Sequence, residues 1–336
     1  MHGNLNRRRA LGALAGALAL ASPRREARSQ RPQRIFMITW RGWEDGSQGF
    51  KDYLQRRNVA VELIVRDAAR SRERVEAFVA EAKAIQPDLV YTWGTTTALT
   101  TFGRWDEADP ARYITDIPGV FNIVSTPVAS GLVRSLDEPP PNLTGTLYLV
   151  PVETQFRTIE SYQAFERIGM VYNELESNSR QTVAEVGRLG EAQGFRTFPM
   201  PVPLDDAGAP DPGALPATVQ ALKDEQVDWM YIPPDSFLNI NRDVLTASAR
   251  DAGLPTFAAA ENFVRDAAGL VGLVSRYYNV GQYAGYLAEQ ILLAGKSPGE
   301  IPIRNLERFS LLVNLETARQ LQFYPPLAML AIAEFV

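Results

Sequence analysis

The chain has 336 residues, 46% of them hydrophobic and 22% charged, with no cysteine and a single histidine, His2. That composition excludes disulfides, thiolate nucleophiles, Cys/His zinc sites and haem ligation by His or Cys. Carboxylates, hydroxyls, amides, aromatic rings and backbone groups remain to carry function, and neither a metal nor a cofactor is expected. A formal charge of -5 argues against nucleic-acid binding, which calls for a basic face. The length suits about two domains of roughly 100–200 residues each.

Residues 1–30 read as an export signal. Arg7, Arg8 and Arg9 precede Ala10 to Ala21, an uncharged run of 12 Ala, Leu and Gly residues. As a helix the run would cover roughly 18 Å, short of the ~30 Å hydrocarbon core, so a permanent span is not expected. Its removal takes six arginines and one glutamate and moves the net charge from -5 to about -10. With no cysteine for lipid attachment, the expected product is a soluble, monomeric protein of the periplasm. Sec and twin-arginine export are both compatible with the paired arginines.

From Arg34 onward, short apolar runs alternate with segments of helical period. Strands are expected at Ile35 to Thr39, Val59 to Val65, Asp88 to Trp93, Gly119 to Val124 and Leu147 to Val150. Between them lie helices at Gln48 to Arg57 and along the stripe Val75, Phe78, Val79, Ala82 and Ile85. A second series has strands at Ile168 to Tyr172, Phe195 to Pro199, Asp228 to Ile232, Pro255 to Ala258 and Leu270 to Val274. Its helices fall at Ser177 to Ala192, Ala217 to Glu225, Asn239 to Ala252 and Val280 to Leu293. Strands separated by helices imply parallel βαβ sheets, and two such series imply an α/β protein of two Rossmann-like lobes. The stiff stretch Glu138-Pro139-Pro140-Pro141-Asn142 marks the approach to the first crossing.

In open parallel sheets ligands sit beyond the carboxyl ends of strands, where helix N-termini offer free N–H groups. Gly94-Thr95-Thr96-Thr97 follows one strand and Ser125-Thr126-Pro127 another; each can bind an anion or serve only as a helix cap. Asn173, with Asn178 and Ser179 at the next helix start, follows Tyr172. Asp235-Ser236 follows Ile232, and Glu261 follows Ala258. Asp235 could simply favour a helix N-terminus. Two acids facing hydroxyls across a cleft would instead suit a zwitterion. Trp40 and Trp43, beyond the first strand, supply flat walls or packed core. Arg41 can meet a carboxylate bidentately or pair with Glu44.

A resemblance becomes specific along these same stretches. Ile117-Pro118-Gly119-Val120-Phe121, Ser125 through Val133, Asn142-Leu143-Thr144-Gly145, Asn178-Ser179, Pro234-Asp235-Ser236, Gly253-Leu254-Pro255, Tyr277-Tyr278 and Val313 through Ala318 follow one another in order. They resemble the substrate-binding family of ABC transporters typified by tryptophan-type, aromatic amino-acid binding proteins. The resemblance implies a type I periplasmic binding fold, with three hinge strands joining residues 31–145 plus 275–308 to residues 146–274 plus 309–336. It also implies capture of a small amino acid or carboxylate by hinge closure, and delivery to an ABC permease in the inner membrane. The loop Trp40 to Glu44 departs from the family's usual first-strand sequence. Two other readings stand beside it: an exported enzyme using Asp235 or Glu261 as base, and a solute-sensing module.

Overall fold

The computed structural model describes residues 31–107 and 109–336, so the segment read as an export signal lies outside the described residues. The first series consists of β1 (Gln33–Thr39), α1 (Asp45–Arg56), β2 (Val61–Asp67), α2 (Arg72–Ile85), β3 (Leu89–Trp93), α3 (Thr95–Phe102), β4 (Gly119–Val124) and β5 (Leu143–Leu147). Then follow α4 (Val152–Tyr162), β6 (Arg167–Tyr172), α5 (Ser177–Gln193), β7 (Arg196–Pro201), α6 (Leu215–Asp224), β8 (Trp229–Ile232), α7 (Ser236–Ile240), α8 (Arg242–Asp251), β9 (Thr256–Ala258), α9 (Asn262–Arg265) and β10 (Val271–Val274). The chain finishes with α10 (Tyr277–Leu292), β11 (Ser310–Val313), α11 (Leu315–Leu321), α12 (Leu327–Leu330) and β12 (Ala333–Phe335).

Two sheets result. One has the order β2-β1-β3-β4-β5 and is parallel throughout; the other has the order β12-β11-β10-β9-β8-β6-β7. Within the second sheet the β10–β11 pair is antiparallel, while β6, β7, β8 and β9 run parallel. Every residue of β3 and β4 is buried, as expected for central strands covered on both faces by helices. The fold is therefore two α/β lobes dominated by parallel sheet.

The chain passes between the lobes three times. After β5 it crosses at 148–151. It returns between β10 and α10, and crosses again between the Thr146–Arg304 bridge and β11. The apolar run Leu147 to Val150 predicts a strand, but only Leu147 belongs to one. Tyr148, Leu149 and Val150 are buried because they thread between lobes, and Pro151 then starts α4. The single helix expected over 239–252 is two, broken at Asn241.

Helix α10 returns to the first lobe and packs on α1 at backbone contact. A Cβ on Gly281 would lie 1.9 Å from the Gly46 carbonyl oxygen, and one on Gly49 would lie 2.0 Å from that of Tyr278. Only glycine permits this approach, which fixes Tyr277 at the head of α10 beside the carboxyl ends of the first sheet.

Candidate functional site

A cavity lies where the carboxyl ends of the two sheets face each other, which is where parallel sheets place ligands. It encloses about 420 Å³ of space including its opening. Trp40, Arg41, Trp93, Gly94, Thr95, Thr96 and Ile123 form the wall from the first lobe. Asn178, Asp235, Ser236, Asn239, Ala260 and Phe263 form the wall from the second, and Tyr148 and Tyr277 close it from the crossings.

Aromatic rings set its shape. The Tyr277 ring meets Tyr148 edge-on at 5.4 Å and Trp93 edge-on at 6.2 Å. Burial raises the phenol pKa of both tyrosines, so they stay neutral hydroxyls. The Arg41 guanidinium stacks on Trp93, 4.6 Å from the ring centroid. Its side chain is 8% exposed, and Nε donates to Glu44 Oε1 at 2.8 Å. Among the described residues no protein group accepts from Nη1 or Nη2.

At the head of α3, Gly94 takes φ +88° and no side chain caps the helix. The first-turn N–H groups have no intrahelical acceptor and are left for a ligand. The head of α7 is the opposite case. Asp235 Oδ1 accepts from Leu238 N, and Glu176 accepts from Ser236 N and Phe237 N. Asp235 Oδ2 also takes the Asn173 N–H at 2.7 Å and the Ser179 hydroxyl at 2.6 Å. Burial first, and then the neighbouring Glu176, push the Asp235 carboxyl up to about 7.

Of the expected site residues, Trp40, Thr95, Thr96, Asn178, Asp235 and Ser236 come together on this wall. The others lie outside it. Trp43 points away, 42% exposed, with its indole N–H on Gln48. Thr97, Ser125 and Thr126 are turned into the fold, and their hydroxyl oxygens are buried without a protein partner. Asn173 and Ser179 stand behind Asp235 as its donors. Glu261 is buried beneath the wall, where its carboxylate takes the Tyr277 N–H at 2.6 Å and the guanidinium groups of Arg276 and Arg265 at 2.7 and 3.2 Å. It thereby anchors the start of α10 rather than facing the cavity.

Sequence reasoning did not select Ile123, Tyr148, Asn239 or Phe263, nor did it place Tyr277 on the wall. Ile123 carries φ +55°, a strained value for a β-branched residue, next to a register shift in β4. Asn122 holds it there: its Oδ1 accepts from Ile123 N and from Thr146 Oγ1, while its Nδ2 donates to Tyr91. No short motif signals this. It depends on strands that are distant in sequence.

A closed interlobe cavity with one buried guanidinium, neutral phenols and capped acids defines a solute-binding protein of two α/β lobes. The family model of the ABC transporter substrate binding protein matches residues 37–336, and the chain belongs to that family. Among curated relatives, a tyrosine-binding protein of Clostridioides difficile (strain R20291) is 24% identical over 282 residues, covering 84% of this chain and 73% of that one. Among solved structures, a conserved domain protein from Vibrio cholerae superimposes with a TM-score of 0.79 at 23% identity, over 91% of this chain and 99% of that one. The ABC domain from Streptococcus pneumonia in complex with L-Trp does so with a TM-score of 0.75 at 21% identity, over 90% and 99%.

Proposed function

We propose that the protein captures a small carboxylate solute, of the aromatic amino-acid type or a near relative, in the interlobe cavity and delivers it to an ABC permease from outside the cytoplasm. The carrying observation is the wall itself: rings from both lobes and from two of the three crossings surround a buried Arg41 whose terminal nitrogens have no protein acceptor among the described residues. The tyrosine-binding relative supports the aromatic class. Closure works because the wall is divided between the lobes. An open cleft admits the solute, and the first lobe then rotates against the second about the three crossings until both walls touch it. Ligand contacts across the cleft stabilise the closed form.

The experiment is a thermal-shift screen of the signal-free protein against aromatic amino acids, aromatic acids and small amides, followed by calorimetry on the hits. A ligand that raises the melting temperature and is recovered chemically unchanged supports capture. Conversion of the ligand on incubation would replace this reading with an enzymatic one. Loss of uptake of that ligand on deletion, in the producing cell, tests the permease partnership.

A further inference from the structure

The three crossings meet at one side chain. Asn305, on the third, donates through Nδ2 to the Leu149 carbonyl of the first at 2.7 Å. Its Oδ1 accepts from the Ser275 hydroxyl, on the second, at 3.4 Å and from the N–H of its neighbour Leu306 at 2.9 Å. A main-chain carbonyl on one side and a main-chain N–H on the other fix which way the amide faces. The first and third crossings run side by side as far as the backbone bond from Leu147 N to Arg304 O. One residue further on, the Asn305 side chain replaces the backbone as the link. Its other side borders a hollow lined by Asn279, Tyr283 and Leu306, so hydrogen bonds rather than close packing hold it in place.

These links end beside the cavity. Leu149 follows Tyr148, and Ser275 stands two residues before Tyr277. The two phenol rings meet edge-on at 5.4 Å on the cavity wall, each carried there by a different crossing. A hinge absorbs rotation in the backbone dihedrals of a few residues. Three unlinked crossings would absorb it independently, and the two rings would part as the lobes turn. Linked through Asn305, the crossings bend about a common point and the rings stay together.

We propose that Asn305 is a positioning residue: it pins the three crossings to one hinge point, limits how far the lobes wander when no ligand is bound, and thereby holds Tyr148 and Tyr277 in place for the solute. It does not line the cavity itself, so it acts only through the residues it holds. The inference rests on the hinge closure proposed above and supplies its pivot.

The chain has no cysteine, so Glu76→Cys on α2 and Glu191→Cys on α5, both exposed, accept a fluorophore pair without background. Single-molecule energy transfer on the signal-free protein then reads the interlobe distance, with L-tyrosine and L-tryptophan as probes. Asn305→Asp keeps the shape but loses the donor to Leu149; Asn305→Ser loses the donor without adding a charge, and serves if the carboxylate prevents folding. Each should broaden the ligand-free distance distribution, and should weaken binding of a probe that wild type takes by about threefold or more, because the binding-competent population falls. Asn142→Asp is the matched control, since Asn142 Nδ2 donates to the Ile114 carbonyl at 3.0 Å within the first lobe. It should lower the melting temperature without broadening the distribution. A distribution as narrow as wild type in the Asn305 variants, or equal broadening in Asn142→Asp, would overturn the inference. A wild-type distribution that neither probe narrows would count against the closure reading alone, since the ligand-free comparison decides the role of Asn305.

Discussion

The hydroxyl of Ser179 donates to Asp235 Oδ2 at 2.6 Å, joining the start of α5 to the start of α7 across 56 residues of sequence. With the Asn173 and Leu238 N–H groups on the same carboxylate, Asp235 is a structural hub as well as part of the cavity wall. Asp235→Ala would leave three buried donors without an acceptor and an uncapped helix. We expect it to lower unfolding free energy by about 3 kcal/mol or more, measured by urea denaturation. Ser179→Ala, which removes one donor, should lose about 1 kcal/mol. Unchanged midpoints in both would show that this network carries no stability. Any loss of ligand binding in Asp235→Ala therefore has to be read against its fold.

The same carboxylate predicts a pH trend. Its folded value is pushed up to about 7 by burial and by Glu176, whereas an unfolded aspartate titrates near 3.9. Between the two values the folded state holds the proton that the unfolded chain has released. Stability from this group is therefore highest below about pH 4 and falls as pH rises to about 7. Melting curves of wild type and Asp235→Asn should diverge in slope over that window, the wild type losing more on going from pH 4.5 to 7.5. Parallel curves would show that Asp235 does not titrate there.

The alternation of strand and helix was readable because the central strands bury both faces and the helices carry apolar stripes. Those are local patterns, and the parallel sheets follow from them. The strand-end rule likewise located Trp40, Thr95, Thr96, Asn178, Asp235 and Ser236. It failed wherever a partner comes from elsewhere in the fold. Ser179 and Asn173 look like ligand contacts until Asp235 is brought beside them, and Glu261 looks like one until Arg276 and Arg265 enclose it. Tyr148 and Tyr277 stand at crossings, so they reach the cavity only when the lobes meet. Arg41 offered two local readings, a carboxylate partner or a pair with Glu44. The structure shows the pair through Nε and leaves the opposite edge of the guanidinium open.

Tryptophan emission should report the ligand through two rings. Trp40 and Trp93 line the cavity, Trp43 and Trp105 are exposed, and Trp229 is buried in the second lobe's core. A ligand confirmed by calorimetry should shift or quench the emission of wild type. Trp43→Phe should leave the response intact, and Trp93→Phe should reduce it most because Arg41 lies on that ring. A full response in a Trp40→Phe, Trp93→Phe double variant would place the ligand elsewhere.

The contact of α1 with α10 leaves no room for a methyl group. Gly281→Ala would drive a Cβ to 1.9 Å from the Gly46 carbonyl oxygen, a backbone atom that cannot rotate away. The helices must part, and overpacking of this kind costs about 1–3 kcal/mol or more. Gly295→Ala is not a fair control, since Gly295 takes φ +70°. Gly187 is, because it lies in α5 with open space around it, and alanine there should stabilise slightly. Equal melting temperatures for Gly281→Ala and wild type would show that α10 is free to shift on α1.

Arg265, on α9 of the second lobe, reaches Asp45 at the start of α1 in the first lobe at 3.0 Å. Glu261 and Asp266 hold the same guanidinium from its own side. Under the proposed hinge closure the pair forms only in the closed form, so its free energy adds to closure and not to the folding of either lobe. Both side chains are partly exposed, which limits the pair to about 0.2–1 kcal/mol, or up to roughly fivefold in affinity. Asp45→Asn should therefore weaken ligand binding by up to about fivefold, through faster dissociation, with little change in ligand-free melting temperature. Salt screens an exposed pair, so the gap between wild type and variant should shrink as ionic strength rises from about 0.05 to 1 M. Stopped-flow dissociation at the two salt concentrations measures it. A gap that does not change with salt would mean that Asp45 does not act through an ion pair across the cleft.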